Sequence, residues 1–223
     1  MDYKTEFIEF LAEAGALTFG DFVTKSGRRT PYFINIGQFC EGGQIARLGG
    51  FYADCVMAHP ELLKKETVLF GPAYKGIPLA VSTAIALAGR GVNLPYCFNR
   101  KEAKDHGEGG ALVGHQLKAG DRVLIIEDVI TAGTAVREIL PILQSAGAVV
   151  DGLLISVDRM ERGTGERTAT QELREDYGIR SFPIVTVRDI ARALHNRPVD
   201  GHVLIDDAAA ARMETYMREY CVD

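Results

Sequence analysis

The stretch VLIIEDVITAGTAVRE, Val123 to Glu138, decides the fold. Val123 to Ile126 read as a short buried strand, which closes on two adjacent carboxylates, Glu127 and Asp128. A turn of small residues, Thr131 to Ala135, leads into a helix predicted over Gly133 to Ser145. A strand, turn and helix of this kind make a phosphate cradle. Thr131 and Thr134 bring hydroxyls, while Ala132 and Gly133 let the backbone approach a ligand closely. The unsatisfied N–H groups and positive dipole end of the helix face the anion. The acidic pair would repel phosphate, so it must face hydrogen-bond donors such as ribose hydroxyls, or a hydrated Mg²⁺. No GxxxxGK[ST] loop and no GxGxxG fingerprint is present as a competing nucleotide cradle.

Outward from this motif, helical and strand patterns alternate. Phe7, Ile8, Leu11 and Ala14 share one face of a helix predicted over Tyr3 to Ala14, and a strand is predicted at Tyr32 to Ile36. Ile45, Leu48, Tyr52 and Val56 give Gln44 to Ala58 a helical spacing. Thr67 to Phe70 is a strand followed by a Gly/Pro turn and a helix through Ala88; Tyr96 to Phe98 and Val149 to Val157 are further strands. This alternation predicts an α/β fold, a parallel twisted sheet flanked by helices, within a single domain over 1–223. Two long polar stretches, Asn99 to Gly110 and Asp158 to Arg167, are read as loops after strands. Long loops are disproportionately functional, and ligands of open α/β sheets bind beyond the carboxyl ends of strands.

Composition excludes several classes. Thirty acidic against 25 basic residues give a net charge of -5, which opposes general nucleic-acid affinity. Cys40, Cys55, Cys97 and Cys221 lack metal-ligand spacing and read as thiols of a reducing compartment. The opening MDYKTEF has no apolar signal segment, and the longest apolar run, Pro78 to Gly89, is interrupted by Ser82 and Thr83. The expectation is a cytoplasmic protein with no membrane partner.

EDVITAGTA resembles the phosphoribosyl pyrophosphate (PRPP) motif of the type I phosphoribosyltransferases. That resemblance implies their fold, with a PRPP-binding core over about 65–160 and a small hood over the base formed largely by about 1–40. Three more segments, GPAYKG at Gly71 to Gly76, CFNRKEAKDHGEGG at Cys97 to Gly110 and TKSGRRTPYFIN at Thr24 to Asn35, resemble the orotate phosphoribosyltransferase family of bacterial and fungal type. The similarity extends to ISVDRMERGTGE, Ile155 to Glu166, and weakens after about Tyr177, so no role is assigned to the last helices.

The family's residue roles carry over as expectations. Lys25 would contact PRPP and sit near orotate, Phe33 and Ile34 would line the base pocket, and Tyr74 and Lys75 would flank pyrophosphate. Arg100, Lys101, Lys104 and His106 would lie on a mobile catalytic loop that reaches the neighbouring subunit of a homodimer. Glu127, Asp128, Val129, Ile130, Thr131, Ala132, Gly133, Thr134 and Ala135 would hold the ribose phosphate, and Thr131 and Arg159 would recognise orotate. Lys101, Lys104, His106 and Asp128 are the catalytic candidates. Mg²⁺ would be the cofactor, held mainly through PRPP and water. For Arg159 there is a physical reason too: orotate presents a carboxylate and ring carbonyls, planar acceptors that match a guanidinium. Two departures stand out, Glu-Asp where many relatives carry Asp-Asp and Ile34 in place of a frequent phenylalanine. A transferase for another base would share the PRPP motif but not Arg159 and the basic loop. A PRPP-sensing regulator would need a basic face, which the net charge opposes.

Overall fold

Alternating apolar side chains in the central strands require cover on both faces, and the architecture supplies it. A computed structural model describes residues 2–24, 27–104, 110–130, 132–163 and 165–222. Helix α1 (Tyr3–Glu13) precedes an antiparallel pair, β1 (Leu17–Val23) and β2 (Arg29–Ile34), that forms a sheet of its own. After α2 (Gly42–Met57) come β3 (Thr67–Gly71), α3 (Gly76–Gly89), β4 (Tyr96–Lys104), β5 (Gly110–Gly114), β6 (Arg122–Val129), α4 (Thr134–Ser145) and β7 (Val149–Asp158). The chain continues through α5 (Ala169–Tyr177), β8 (Ser181–Thr186), α6 (Val187–Leu194), the short pair β9 (Pro198–Val199) and β10 (His202–Val203), and α7 (Asp207–Tyr220).

The main sheet has the order β5-β4-β3-β6-β7-β8, parallel except for β5, which runs antiparallel at one edge. Val68, Phe70, Val123, Ile125, Leu153 and Ile155 turn to one face and pack with Val136, Ile139, Leu140 and Leu143 of α4. Leu69, Leu124, Ile126 and Leu154 turn to the other and meet Leu48 and Tyr52 of α2 and Leu79 and Leu87 of α3. Each such side chain, removed from water, contributes roughly 1.5–3 kcal/mol, so the two covered faces hold the sheet rigid. The chain leaves β3 toward β4 on one side and returns to β6 on the other. The strand order therefore reverses between β3 and β6, and a crevice opens at their carboxyl ends.

The observed elements shift several sequence expectations. β6 runs on to Val129 because β7 pairs with it as far as Val129 opposite Val157; Glu127 and Asp128 thus belong to the strand. β1 went unread because Gly20 looks like punctuation, whereas it lies in the irregularity between Phe19 and Phe22. The stretch Asn99 to Gly110 is not a loop throughout. β4 continues to Lys104 and pairs back with β5, Asn99 opposite Leu112 and Lys104 opposite Gly110. Residues 105–109 lie outside the described residues. α7 packs on β2, where the Tyr216 ring meets Tyr32 edge-on at 5.9 Å. Among the described residues no helix is long and apolar enough to cross a membrane. The four cysteines carry free thiols.

Candidate active site

Backbone clamps from beneath fix the acidic pair at the end of β6. The Tyr52 hydroxyl donates to the Glu127 carbonyl at 2.5 Å, and Ser156 Oγ donates to the Asp128 carbonyl at 2.6 Å. Asp128 is buried. Its Oδ1 accepts from the Val129 amide at 2.7 Å and its Oδ2 from Lys75 Nζ at 3.0 Å, across the β3/β6 crevice. Glu127 Oε2 accepts from the Asp128 amide at 3.2 Å. Burial, and next the charge of Asp128, push the Glu127 carboxyl up to about 7.

That shift has a checkable sign. The folded protein favours neutral Glu127, so the associated stability is fully present below the ordinary value of 4.5 and is lost as pH rises through about 7. Glu127→Gln is neutral throughout. Apo melting curves should show the variant gaining on the native protein between pH 5 and 7.5 (assay range about 2.5 units), by an amount on the order of 2 kcal/mol. A constant gap across that range would show that Glu127 titrates normally.

The turn after β3 is shaped by its glycines. A Cβ on Gly71 would come within 2.6 Å of the Gly76 carbonyl carbon, and one on Gly76 within 2.8 Å of the Ile126 carbonyl oxygen. Only hydrogen fits at either position, which brings the turn hard against β6. The Ala73–Tyr74 peptide is cis, and the Ala73 amide donates to Asn99 Oδ1 at 2.9 Å, fastening the turn to β4. Tyr74 and the Lys75 side chain stand exposed beyond it. On the β6 side, Gly133 takes a left-handed φ of 69° as it opens α4. Space is not the constraint there, because a Cβ would meet only ordinary contacts from 3.6 Å outward; the backbone conformation is. The first turn of α4 has no acidic residue, and no side chain caps its N-terminus among the described residues. α1, α5, α6 and α7 by contrast are capped by Asp2, Thr168, Thr186 and Asp206. An uncapped helix N-terminus of this kind, with no acidic residue in its first turn, has the polarity to accept an anion.

Arg159 lies just past β7, two residues beyond the partner of Val129, and is almost wholly buried. Its guanidinium stacks over the Tyr32 ring at 4.7 Å, and its Nε and Nη2 donate to Glu161 Oε1 at 3.0 and 2.6 Å.

The structure thus gathers Lys75, Glu127, Asp128, Val129, Ile130 and the Ala132–Ala135 segment at the crevice, with Arg159 on the adjacent strand end. It separates Phe33 from Ile34. They project from opposite faces of β2, Phe33 about half exposed and Ile34 in the core, so the two side chains do not form one pocket wall. Lys101 reaches Glu138 of its own chain at 3.8 Å, and Arg100 precedes it on β4. Lys25, His106 and Thr131 lie outside the described residues, as does the Lys104 side chain. Asn99, Tyr52, Ser156, Tyr32 and Glu161 escaped the sequence reading. A signal existed for some of them, because a tyrosine or serine on a buried face must find a hydrogen-bond partner. A concavity of about 440 Å³ lies between β2 and α7, away from the acidic pair. Another, of about 110 Å³, borders Lys75 and Asp128 with Ile36, Phe39 and Leu79. The second is the one that adjoins the clamped Asp128 carboxylate and Lys75.

Comparisons with known proteins agree with this geometry. Residues 45–185 match the model of the phosphoribosyl transferase domain. An orotate phosphoribosyltransferase of Clostridium beijerinckii is 51% identical over 220 residues, 98% of this chain and 97% of the relative. One from Salmonella newport is 51% identical over 197 residues, 88% of this chain and 90% of its own. The crystal structure of the Francisella tularensis orotate phosphoribosyltransferase superposes with a TM-score of 0.84 at 34% identity, covering 97% of this chain and all of that one. A switch-point crevice with an acidic strand end and an open helix N-terminus, matched along nearly the whole chain by these relatives, places the protein in the orotate phosphoribosyltransferase family.

Proposed function

We propose that this chain transfers ribose 5-phosphate from PRPP to orotate, giving orotidine 5′-monophosphate and pyrophosphate, a step of pyrimidine biosynthesis. The observation that carries the reading is the Lys75–Asp128 pair at 3.0 Å across the crevice, with the open N-terminus of α4 beyond it. The helix amides and the Gly133 turn take the 5-phosphate. Glu127 and Asp128 accept the ribose hydroxyls, and Lys75 sits where the departing pyrophosphate gathers charge. Phe33 and Arg159 face the base, with Lys25 and Thr131 completing its contacts.

The bond from the anomeric carbon to pyrophosphate breaks as a ring nitrogen of orotate attacks, and the sugar acquires oxocarbenium character. Orotate is readily deprotonated at that nitrogen, so the residues act by positioning and charge stabilisation rather than as a strong base. The acidic pair fits a Mg²⁺ that arrives on its substrate. Among the described residues no three His, Cys, Asp or Glu side chains converge on one point, and such ions commonly keep water and phosphate ligands. Mg²⁺ when bound supplies charge to the leaving group. Arg100, Lys101 and Lys104 of β4, together with His106, serve the pyrophosphate of a neighbouring subunit in a homodimer. The enzyme works in the cytoplasm.

The direct test follows orotate absorbance with PRPP and Mg²⁺, then with EDTA. Orotate should disappear in the first case, the rate should fall to background in the second, and adenine, hypoxanthine and uracil should not substitute. Folded protein that leaves orotate untouched would overturn the reading.

A further inference from the structure

Glu161 Oε1 is a junction of three parts of the chain. It accepts from Arg159 Nε and Nη2 at 3.0 and 2.6 Å, from the Tyr32 hydroxyl of β2 at 2.9 Å and from the Tyr216 hydroxyl of α7 at 2.8 Å. Its other oxygen lies 3.9 Å from Arg28 Nη1. Arg28 also donates to the carbonyls of Arg162 and Gly163 at 2.8 and 2.9 Å, and its guanidinium covers the Tyr220 ring at 5.2 Å. From the other side, the Arg162 amide bonds the Tyr220 carbonyl at 2.8 Å and the Val222 amide bonds the Met160 carbonyl at 2.9 Å. The segment carrying Arg159 is therefore gripped by the hood hairpin and by α7 together.

The grip is directional. Glu161 takes the Nε side of the guanidinium, the Tyr32 ring covers one of its planes, and Nη1 makes no hydrogen bond among the described residues. That leaves Nη1, with the second hydrogen of Nη2 beside it, as the edge open to a planar acceptor such as a carboxylate. Burial first, then the charge of Glu161, push the Tyr216 hydroxyl up to about 12, and burial drives Tyr32 upward as well. Both phenols remain donors at neutral pH, so the carboxylate of Glu161 stays saturated and fixed.

We propose that Glu161, anchored by Tyr32 and by Tyr216 of α7, is a positioning residue that presents the terminal edge of Arg159 to the carboxylate of orotate. This rests on the base assignment made for Arg159 above. It gives the last helix a part in base recognition.

The test compares native enzyme with Tyr216→Phe, Glu161→Gln, Glu161→Ala, Arg159→Ala and the double variant Arg159→Ala/Tyr216→Phe. KM for orotate, KM for PRPP and kcat are measured for each, with melting temperature and calorimetric PRPP binding. Tyr216→Phe keeps its ring and should raise KM for orotate about 5-fold, less than the roughly 10-fold or more that a full hydrogen bond to a charged group is worth, because Tyr32 and Arg159 still hold the Glu161 carboxylate. KM for PRPP should stay within about 2-fold, since no phosphate contact changes. Glu161→Ala should raise KM for orotate by about 30-fold or more, and Glu161→Gln, which keeps an acceptor oxygen, should recover part of that. Adding Tyr216→Phe to Arg159→Ala should leave KM for orotate where Arg159→Ala put it, because Tyr216 acts through Arg159. An unchanged KM for orotate in Tyr216→Phe, parallel rises in both KM values, or additive effects in the double variant would each overturn the proposal. Should Glu161→Ala fail to fold, Tyr216→Phe and the double variant decide alone. Native enzyme that consumes no orotate would instead remove the underlying assignment of the base.

Discussion

Asp128→Asn should lower kcat/KM for PRPP by about 10²–10³-fold, the largest catalytic loss expected from a single isosteric change. The amide keeps the shape, and its one oxygen can still accept from the Val129 amide, while the NH2 group in the other position can no longer accept from Lys75; the backbone clamps from Tyr52 and Ser156 survive. What disappears is the negative charge that balances Lys75 and to which the proposed function assigns the ribose hydroxyls. Steady-state kinetics together with a melting curve give the answer. The midpoint should move by no more than a few degrees, and a large drop would assign Asp128 a structural role instead. The same variant reports on the arrangement of subunits. Mixed after subunit exchange with Lys101→Ala, it should regain activity through one intact composite site. No recovery despite proven exchange would mean that the basic hairpin serves its own chain, where Lys101 already lies 3.8 Å from Glu138.

Gly71→Ala should be the most damaging change to the fold. The added methyl would fall on the Gly76 carbonyl group and within 3.0 Å of the Ala80 Cβ. These are backbone and core atoms that cannot swing aside. We expect a loss of roughly 3 kcal/mol or more, which for a chain of this size is a melting temperature about 6–12 °C lower. PRPP binding should vanish with it, because the turn carries Lys75. Gly165→Ala is the matched control. A Cβ there meets nothing within 4 Å, and its cost should stay within about 0.5 kcal/mol. Equal melting temperatures for the two variants would show that the β3 turn relaxes at no cost.

The contrast between these positions explains what could be read in advance. The phosphate half of the site was legible because Val68 to Lys75 and Val123 to Ala135 are continuous segments, and their chemistry follows from residue order. Element ends were less legible. Glu127 and Asp128 look like the end of a strand, yet β7 runs alongside and keeps them in register. Polar residues from Asn99 onward look like a loop, although pairing with β5 makes them strand. The base half resisted reading for a different reason. Tyr32 and Glu161 are 129 positions apart, and Glu161 and Tyr216 are 55 apart. No periodicity connects them, and each alone passes for an ordinary surface or core residue.

The junction at Glu161 also bears on how such a protein can change over time. The groups proposed to grip the phosphates lie within a few continuous segments between Lys75 and Ala135, so most substitutions there would disturb the reaction itself. Those that frame the base are contributed by three remote stretches meeting at a single carboxylate oxygen. A lineage could therefore retune which ring it accepts by altering Tyr32, Glu161 or Tyr216, leaving the sugar-phosphate grip untouched. If Glu161 positions Arg159 as proposed, inheritance of the reaction and drift of its preference are separable, because they are written in different places.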